Sequence, residues 1–317
     1  MTDLIPILIN IDVEPDEREV SLGDHSPWVG FEKTFAYFKT VRTRLEAVTQ
    51  APVHFNWLVR LDPQIETIYG DPAWPVTQYR HLLSELQNSG DEIGIHPHTW
   101  KWLPEIARWK SVYDPKWVRH CFAMSFRTFK REFSRAPRIC KFGDHYISGQ
   151  TVSLMEEFGL DCDLTLEPGY RTVAERGRHE PGTSPVLDFR QALRFPYRPS
   201  RRNFLQAGGH WWSRRRLWVI PVSSGATSGE VIRPSDAPDH EVMTLNLEFY
   251  APLFRYISDA LLGKSTKPYL SIVVRSDVPT RDHERTQMET SLDNLANHPW
   301  AHRFRFVTGQ EALPYFF

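Results

Sequence analysis

The chain has 317 residues, and its 38 Lys and Arg against 39 Asp and Glu leave a formal net charge of −1. That balance excludes a protein held to nucleic acid or to an anionic membrane by bulk charge. A hydrophobic fraction of 41% and a charged fraction of 24% exclude wholesale disorder, and the length suits one large α/β barrel or two smaller domains.

Residues 5–11 form a mostly apolar run closed by Asp12, the pattern of a strand buried on both faces. Across 31–48, Phe35, Phe38, Val41, Leu45 and Val48 fall at helical spacing. A second strand is predicted over 53–61. A helix follows over 76–88, stopped by Ser89 and Gly90. A short strand over 92–95 runs into His96, and a long amphipathic helix covers 116–133. Then come a strand over 138–142, a helix over 149–158 and a strand over 161–166. This alternation predicts a parallel sheet with crossover helices. From about 168 to 240 the rhythm breaks into a loop-rich insertion with one strand, 217–222, that decorates the barrel. Regular alternation returns with a helix over 247–262, a strand over 269–274, a helix over 283–295 and a strand over 303–307. The expected organisation is a single barrel domain over 1–317.

Cys121, Cys140 and Cys162 are odd in number and not closely paired, which argues against a disulfide scaffold. The first residues, MTDLIPILINIDVE, have no basic region, and Pro6 and Asn10 interrupt the apolar stretch. Neither a signal peptide nor a membrane span is read there, so a cytoplasmic location is expected. Aromatic residues make up 13%, with 11 Trp, which fits either a Trp-rich core or stacking surfaces for sugars or bases.

In parallel α/β barrels, functional groups sit at the C-terminal ends of the strands. Asp12 and Glu14 stand there after the first strand, and two carboxylates at this spacing can divide metal ligation from proton abstraction. The other reading is an acid-rich solvated loop. His96 and His98 follow the third strand and can converge on one ion through their imidazole nitrogens. Two histidines and a carboxylate give three protein ligands, the pattern of a catalytic metal. Trp57, Arg60, Asp62 and Gln64 cluster after the second strand, as pocket lining or as rim packing. Asp144 and His145 follow the fourth strand, and Arg275 and Asp277 a late one. Two basic knots, Arg201–Arg202 and Arg214–Arg216, flank Trp211 and Trp212. They read as a solvated face, or as contacts for an anionic sugar, a nucleotide-sugar or a lipid-linked pyrophosphate.

INIDVE followed by GDEIGIHPHTW resembles the first two motifs of the polysaccharide deacetylases. These are metal-dependent carbohydrate esterases that remove N- or O-acetyl groups from glycans such as chitin and peptidoglycan. RICKFGDHYISGQTVSLMEEFGLDCDLTLEPG, YLSIVVRSDV and FVTGQEAL are similar to the family's later segments, in the same order. The resemblance implies a distorted (β/α) barrel of about seven parallel strands. It implies Asp12 as general base, and one divalent metal on Glu14, His96 and His98: zinc, with cobalt, nickel or manganese as alternatives. The family's second histidine falls at Trp100 here, so either His98 stands in for it, the reading taken here, or the site is degraded. Lys141 takes the place of the arginine that orients the base. Arg275 takes the place of the acid histidine; Arg cannot donate a proton at neutral pH, so His145 is the first candidate acid. Arg275 is then left to hold an oxyanion or an anionic substrate group. Trp57, Arg60, Asp62, Trp100, Asp144 and Asp277 are the expected substrate-binding residues. The implied function is hydrolysis of an N- or O-acyl group on an amino sugar or glycan precursor, with no nucleic-acid partner and no membrane span. The alternatives are a catalytically silent glycan-binding relative and a hydrolase of non-peptide C–N bonds in a small molecule.

Overall fold

Every residue of β1 (Ile5–Val13) is buried, as its apolar run requires. A computed structural model describes residues 4–171, 187–226 and 242–316; the remainder of the expected insertion, 172–186 and 227–241, lies outside the described residues. The further strands are β2 (Asn56–Val59), β3 (Glu92–Ile95), β4 (Trp100–Leu103), β5 (Arg108–Ser111), β6 (Ile139–Cys140), β7 (Cys162–Asp163), β8 (Trp218–Val219), β9 (Ser224–Ala226), β10 (Val242–Thr244), β11 (Leu270–Arg275) and β12 (Phe304–Phe306). The helices are α1 (Val29–Thr49), α2 (Pro63–Tyr69), α3 (Trp74–Gln78), α4 (Arg80–Asn88), α5 (Pro115–Phe133), α6 (Gly149–Glu157), α7 (Ala251–Lys264), α8 (Asp282–Ala296) and α9 (Gly309–Ala312).

The main sheet runs β11-β1-β2-β3-β6-β7-β8, with β12 also paired to β1, and its pairings are parallel. Seven strands thus follow one another along a distorted (β/α) barrel. Between β8 and β11 the wall is completed by irregular chain. Ser223 N–H donates to the Ser271 carbonyl at 2.8 Å, and Leu245 and Leu247 bond to Val273. Irregular backbone is tolerated there because its donors and acceptors are satisfied.

The helices show why the sequence folds locally as it does. Asp114 caps α5 by accepting from the backbone of Lys116 and Trp117, with Pro115 in the first turn. Ser148 and Thr151 form a capping box at α6. The helix predicted over 76–88 is two, α3 and α4. They break at Tyr79, whose ring packs edge-on against Phe31 at 5.3 Å. The helix predicted from 247 begins only at Ala251. Pro252 has no N–H to give, so it is tolerated only in a first turn, and 245–247 stay extended along β11. The hairpin β4–β5 was not predicted. Its strands are four residues long, and they are held by Trp100 and Trp109 packing with Val20 and Ile68.

Trp57 corrects one expectation. It does not face the pocket. It lies between β2 and α1, against Phe31 and Phe38, and its Nε1 donates to Asp91 at 2.8 Å. Alternation along the strand turns it outward into the helical layer. Trp57→Ala should therefore lower stability by about 3–5 kcal/mol in denaturant unfolding. A loss below about 1 kcal/mol would contradict the core placement.

Candidate metal centre and catalytic pocket

Two strand ends build the ligand set. The turn after β1 fixes Glu14: its N–H donates to Ser276 Oγ at 3.0 Å, and that hydroxyl donates back to the Glu14 carbonyl at 3.1 Å. The turn after β3 presents His96 and His98. His96 Nδ1 donates to the Lys141 carbonyl at 2.6 Å, which leaves its Nε2 as an acceptor. The two imidazoles are nearly perpendicular, with Nε2 atoms 3.1 Å apart. Each Nε2 lies 3.6 Å from a Glu14 carboxylate oxygen.

Whether these residues fit a metal can be tested on their chemistry. All three are buried, and one donor atom from each falls within 4.8 Å of the others. Glu14 Oε2 has no hydrogen-bond partner, although burial makes an unpaired carboxylate oxygen costly. Burial alone would raise the Glu14 carboxyl, but Arg18 and the two histidines outweigh it and hold it well below the usual range. Burial, reinforced by Arg60, pushes His98 below its ordinary value. A carboxylate and two imidazoles are the donors that a divalent first-row ion takes. The donor set fits.

Behind the ligands stands Arg60. It donates to Asp62 at 2.8 and 3.0 Å and to Gln64 at 2.7 Å, and Nη1 lies 3.8 Å from Glu14. Asp62 caps α2 and accepts from His98 N–H at 3.1 Å. Arg60 and Asp62, expected to touch substrate, are instead buried and hold the ligands from behind. Trp100 sits over the Arg60 guanidinium and donates to Asp144. Asp144 also accepts from Ser111 Oγ at 2.7 Å and lies 3.6 Å from His98 Nδ1. Burial raises the Asp144 carboxyl, but His98, Ser111 and Trp100 outweigh it and lower it strongly. Gly143 is needed here, since a Cβ at that position would run into the His98 ring. Asp144 and His145 both follow with positive φ, 52° and 57°, which non-glycine residues adopt at an energetic cost.

Two further pairs face the same cavity of about 1120 Å³. Lys141 Nζ donates to Asp12 Oδ2 at 2.6 Å, while Asp12 Oδ1 has no hydrogen-bond partner. Burial lowers the Lys141 ammonium, but Asp12 and Glu167 outweigh it, so it stays charged. His145 Nδ1 lies 2.8 Å from Glu167, and its ring stacks on Tyr170 at 4.4 Å. Burial lowers the imidazole, but Glu167 more than reverses this and raises it. Glu167 was not foreseen, yet it ends the strand predicted over 161–166, where the strand-end rule would have found it.

Arg275 is in register with Asp12 on the neighbouring strand and lines the cavity. Its Nε lies 3.2 Å from Glu248 and 3.6 Å from Asp277. Arg281 approaches both carboxylates as well, at 3.7 and 3.3 Å. Asp277, expected to bind substrate, is thus an ion-pair partner and does not line the cavity. The Arg201 and Trp211 region does not line it either.

No family model and no curated protein matches the sequence. Solved structures match the fold. A Parabacteroides distasonis protein described as a glycoside hydrolase/deacetylase aligns at TM-score 0.61 and 12% identity, over 99% of this chain and 71% of that one. A Pseudomonas aeruginosa protein described as a polysaccharide deacetylase aligns at TM-score 0.56 and 10% identity, over 98% and 90%. A Mycobacterium smegmatis protein, likewise described as a polysaccharide deacetylase, aligns at TM-score 0.51 and 11% identity, over 99% and 90%. The fold is therefore the distorted barrel of the polysaccharide deacetylases, at very low sequence identity.

The ligand geometry predicts that the purified chain takes up one equivalent of zinc or cobalt. His98→Ala and Gly143→Ala should each weaken that affinity by roughly 10–100-fold, read by competitive chelator titration. Wild-type affinity in Gly143→Ala would show that the glycine does not position His98.

Proposed function

We propose that this protein is a metal-dependent hydrolase that removes an acyl group from an amino sugar in a glycan or glycan precursor. The observation that carries this reading is the Glu14–His96–His98 cluster in the same cavity as the Asp12–Lys141 pair. The shared barrel fold supports it. Glu14, His96 and His98 would hold the ion. A bound divalent ion supplies Lewis acidity toward an acyl carbonyl and toward water. Zinc suits two imidazoles and one carboxylate best.

Asp12 accepts the proton of the attacking water at Oδ1, the oxygen left free by Lys141. Lys141 fixes the orientation of that carboxylate and adds positive charge where an oxyanion develops. His145, held at Nδ1 by Glu167, offers Nε2–H to the departing amine. Trp100 and Tyr170 line the cavity with aromatic surface suited to a sugar ring. Arg275 is held between two carboxylates and cannot shuttle a proton; it keeps a fixed charge on the cavity wall. The whole chain is read as one barrel carrying an insertion. Three free, buried cysteines fit a reducing compartment such as the cytoplasm.

The test is release of acetate from N-acetylglucosamine oligomers by the zinc-loaded chain. Asp12→Asn should lower turnover by roughly 10²–10⁴ while metal content stays at one equivalent. Near-normal turnover would remove Asp12 from the role of base.

The acid assignment predicts a pH effect. Glu167 raises His145, and a general acid must be protonated to act, so activity falls as pH rises through the His145 pKa. Glu167→Gln removes the stabilising charge, lowers that pKa, and should move the alkaline limb of kcat to lower pH. An unmoved limb would transfer the acid role to another group.

A further inference from the structure

Segment 198–216, RPSRRNFLQAGGHWWSRRR, has six arginines and no acidic residue. Its backbone folds back on itself through the bridges Pro199–Ala207 and Ser200–Arg214. Tyr197 pairs antiparallel with Val219, so the ribbon leaves the barrel at the N-terminal end of β8. Asp12, His96 and Lys141 stand at the opposite ends of their strands. The ribbon and the catalytic mouth therefore occupy opposite faces of the barrel.

At its tip, Trp211 and Trp212 are 78% and 61% exposed, more than any other large hydrophobic among the described residues. Their rings cross at 85°, and His210 covers one face of Trp212 at an interplanar angle of 9°. Crossed rings with a covered face give no flat platform for a sugar. They form a compact wedge with an apolar body and N–H edges, which suits the interfacial layer of a bilayer. Glu156 engages Arg201 and Arg215. Arg202 and Arg214 are exposed and make no ion pair among the described residues, so their charge is free for phosphate headgroups. The net charge of −1 on the chain makes this attraction local. No helix among the described residues is long and apolar enough to cross a membrane, so any hold on lipid through this ribbon is peripheral.

We propose that the ribbon is a peripheral anchor that seats the barrel on an anionic lipid surface, with the barrel mouth that carries Asp12, His96 and Lys141 facing away from it. This does not depend on the hydrolase reading. The experiment is co-sedimentation of the full chain with phosphatidylcholine vesicles and with mixed phosphatidylcholine–phosphatidylglycerol vesicles, at low and high salt. The chain should bind the mixed vesicles, weakly or not at all the neutral ones, and less at high salt. Trp211→Ala with Trp212→Ala should lower the partition coefficient roughly tenfold or more. Arg202→Gln with Arg214→Gln should do so by roughly tenfold, both at unchanged melting temperature. Absence of binding to mixed vesicles overturns the proposal. So does equal binding to both vesicle types, or undiminished binding by both double variants. Retention on immobilised dextran sulfate that needs the tryptophans, with no vesicle binding, would replace the lipid by an anionic glycan and equally overturn it.

Discussion

A guanidinium with no contact to solvent, that of Arg60, sets the geometry of the barrel mouth. Removing such a cation from water is expensive unless anions and acceptors surround it. Here every group that does so has a second duty. Asp62 takes two of its hydrogen bonds, caps α2 and receives the His98 N–H. Glu14, at 3.8 Å, is also the carboxylate of the ligand cluster. Trp100 lies over the guanidinium and steers Asp144. Breaking one partner of a buried pair typically costs about 3–5 kcal/mol, so the ligand positions share the rigidity of the charge balance behind them.

The same economy of opposite charges separates the roles within the pocket. Lys141 from the β6 end meets Asp12 from β1, and Glu167 after β7 meets His145. Glu248 before α7 meets Arg275 from β11. Each pair joins groups set on different turns at the strand ends, so the order of the strands in the sheet brings them together. The pairs differ in what can move. A lysine kept charged and an arginine between two carboxylates are fixed poles. An imidazole raised by a single carboxylate holds a proton that it can transfer. A polar pocket thus contains both immobile field and transferable hydrogen.

Much of this was legible in the sequence because it follows from periodicity. The apolar run before Asp12 and the short run before His96 marked two strands, and the strand-end rule then placed Glu14 and His145 at one mouth, while Lys141 followed from the family resemblance alone. What escaped did so for local reasons. Trp57 is next to Leu58 in a four-residue strand, and only the phase of the pleat decides which of them faces outward. Arg60 and Asp62 carry no sequence mark that distinguishes a buried clamp from a substrate contact. Glu167 follows a strand of only two residues and opens an irregular stretch, so no periodicity marks it. The closure between β8 and β11 has no regular pattern to read, since single hydrogen bonds to Ser271 and Val273 replace a strand.

The contact between Gly143 and His98 also bears on how such a site changes over time. The family that the motifs resemble spaces its histidines so that the second falls where Trp100 stands. Moving the ligand from 98 to 100 here would take the indole off Arg60 and release Asp144, while leaving a gap above Gly143 where the imidazole had been. Each of these losses falls before the new ligand can be useful. The position of the imidazole pair is thus tied to Gly143, Trp100 and Asp144 at once.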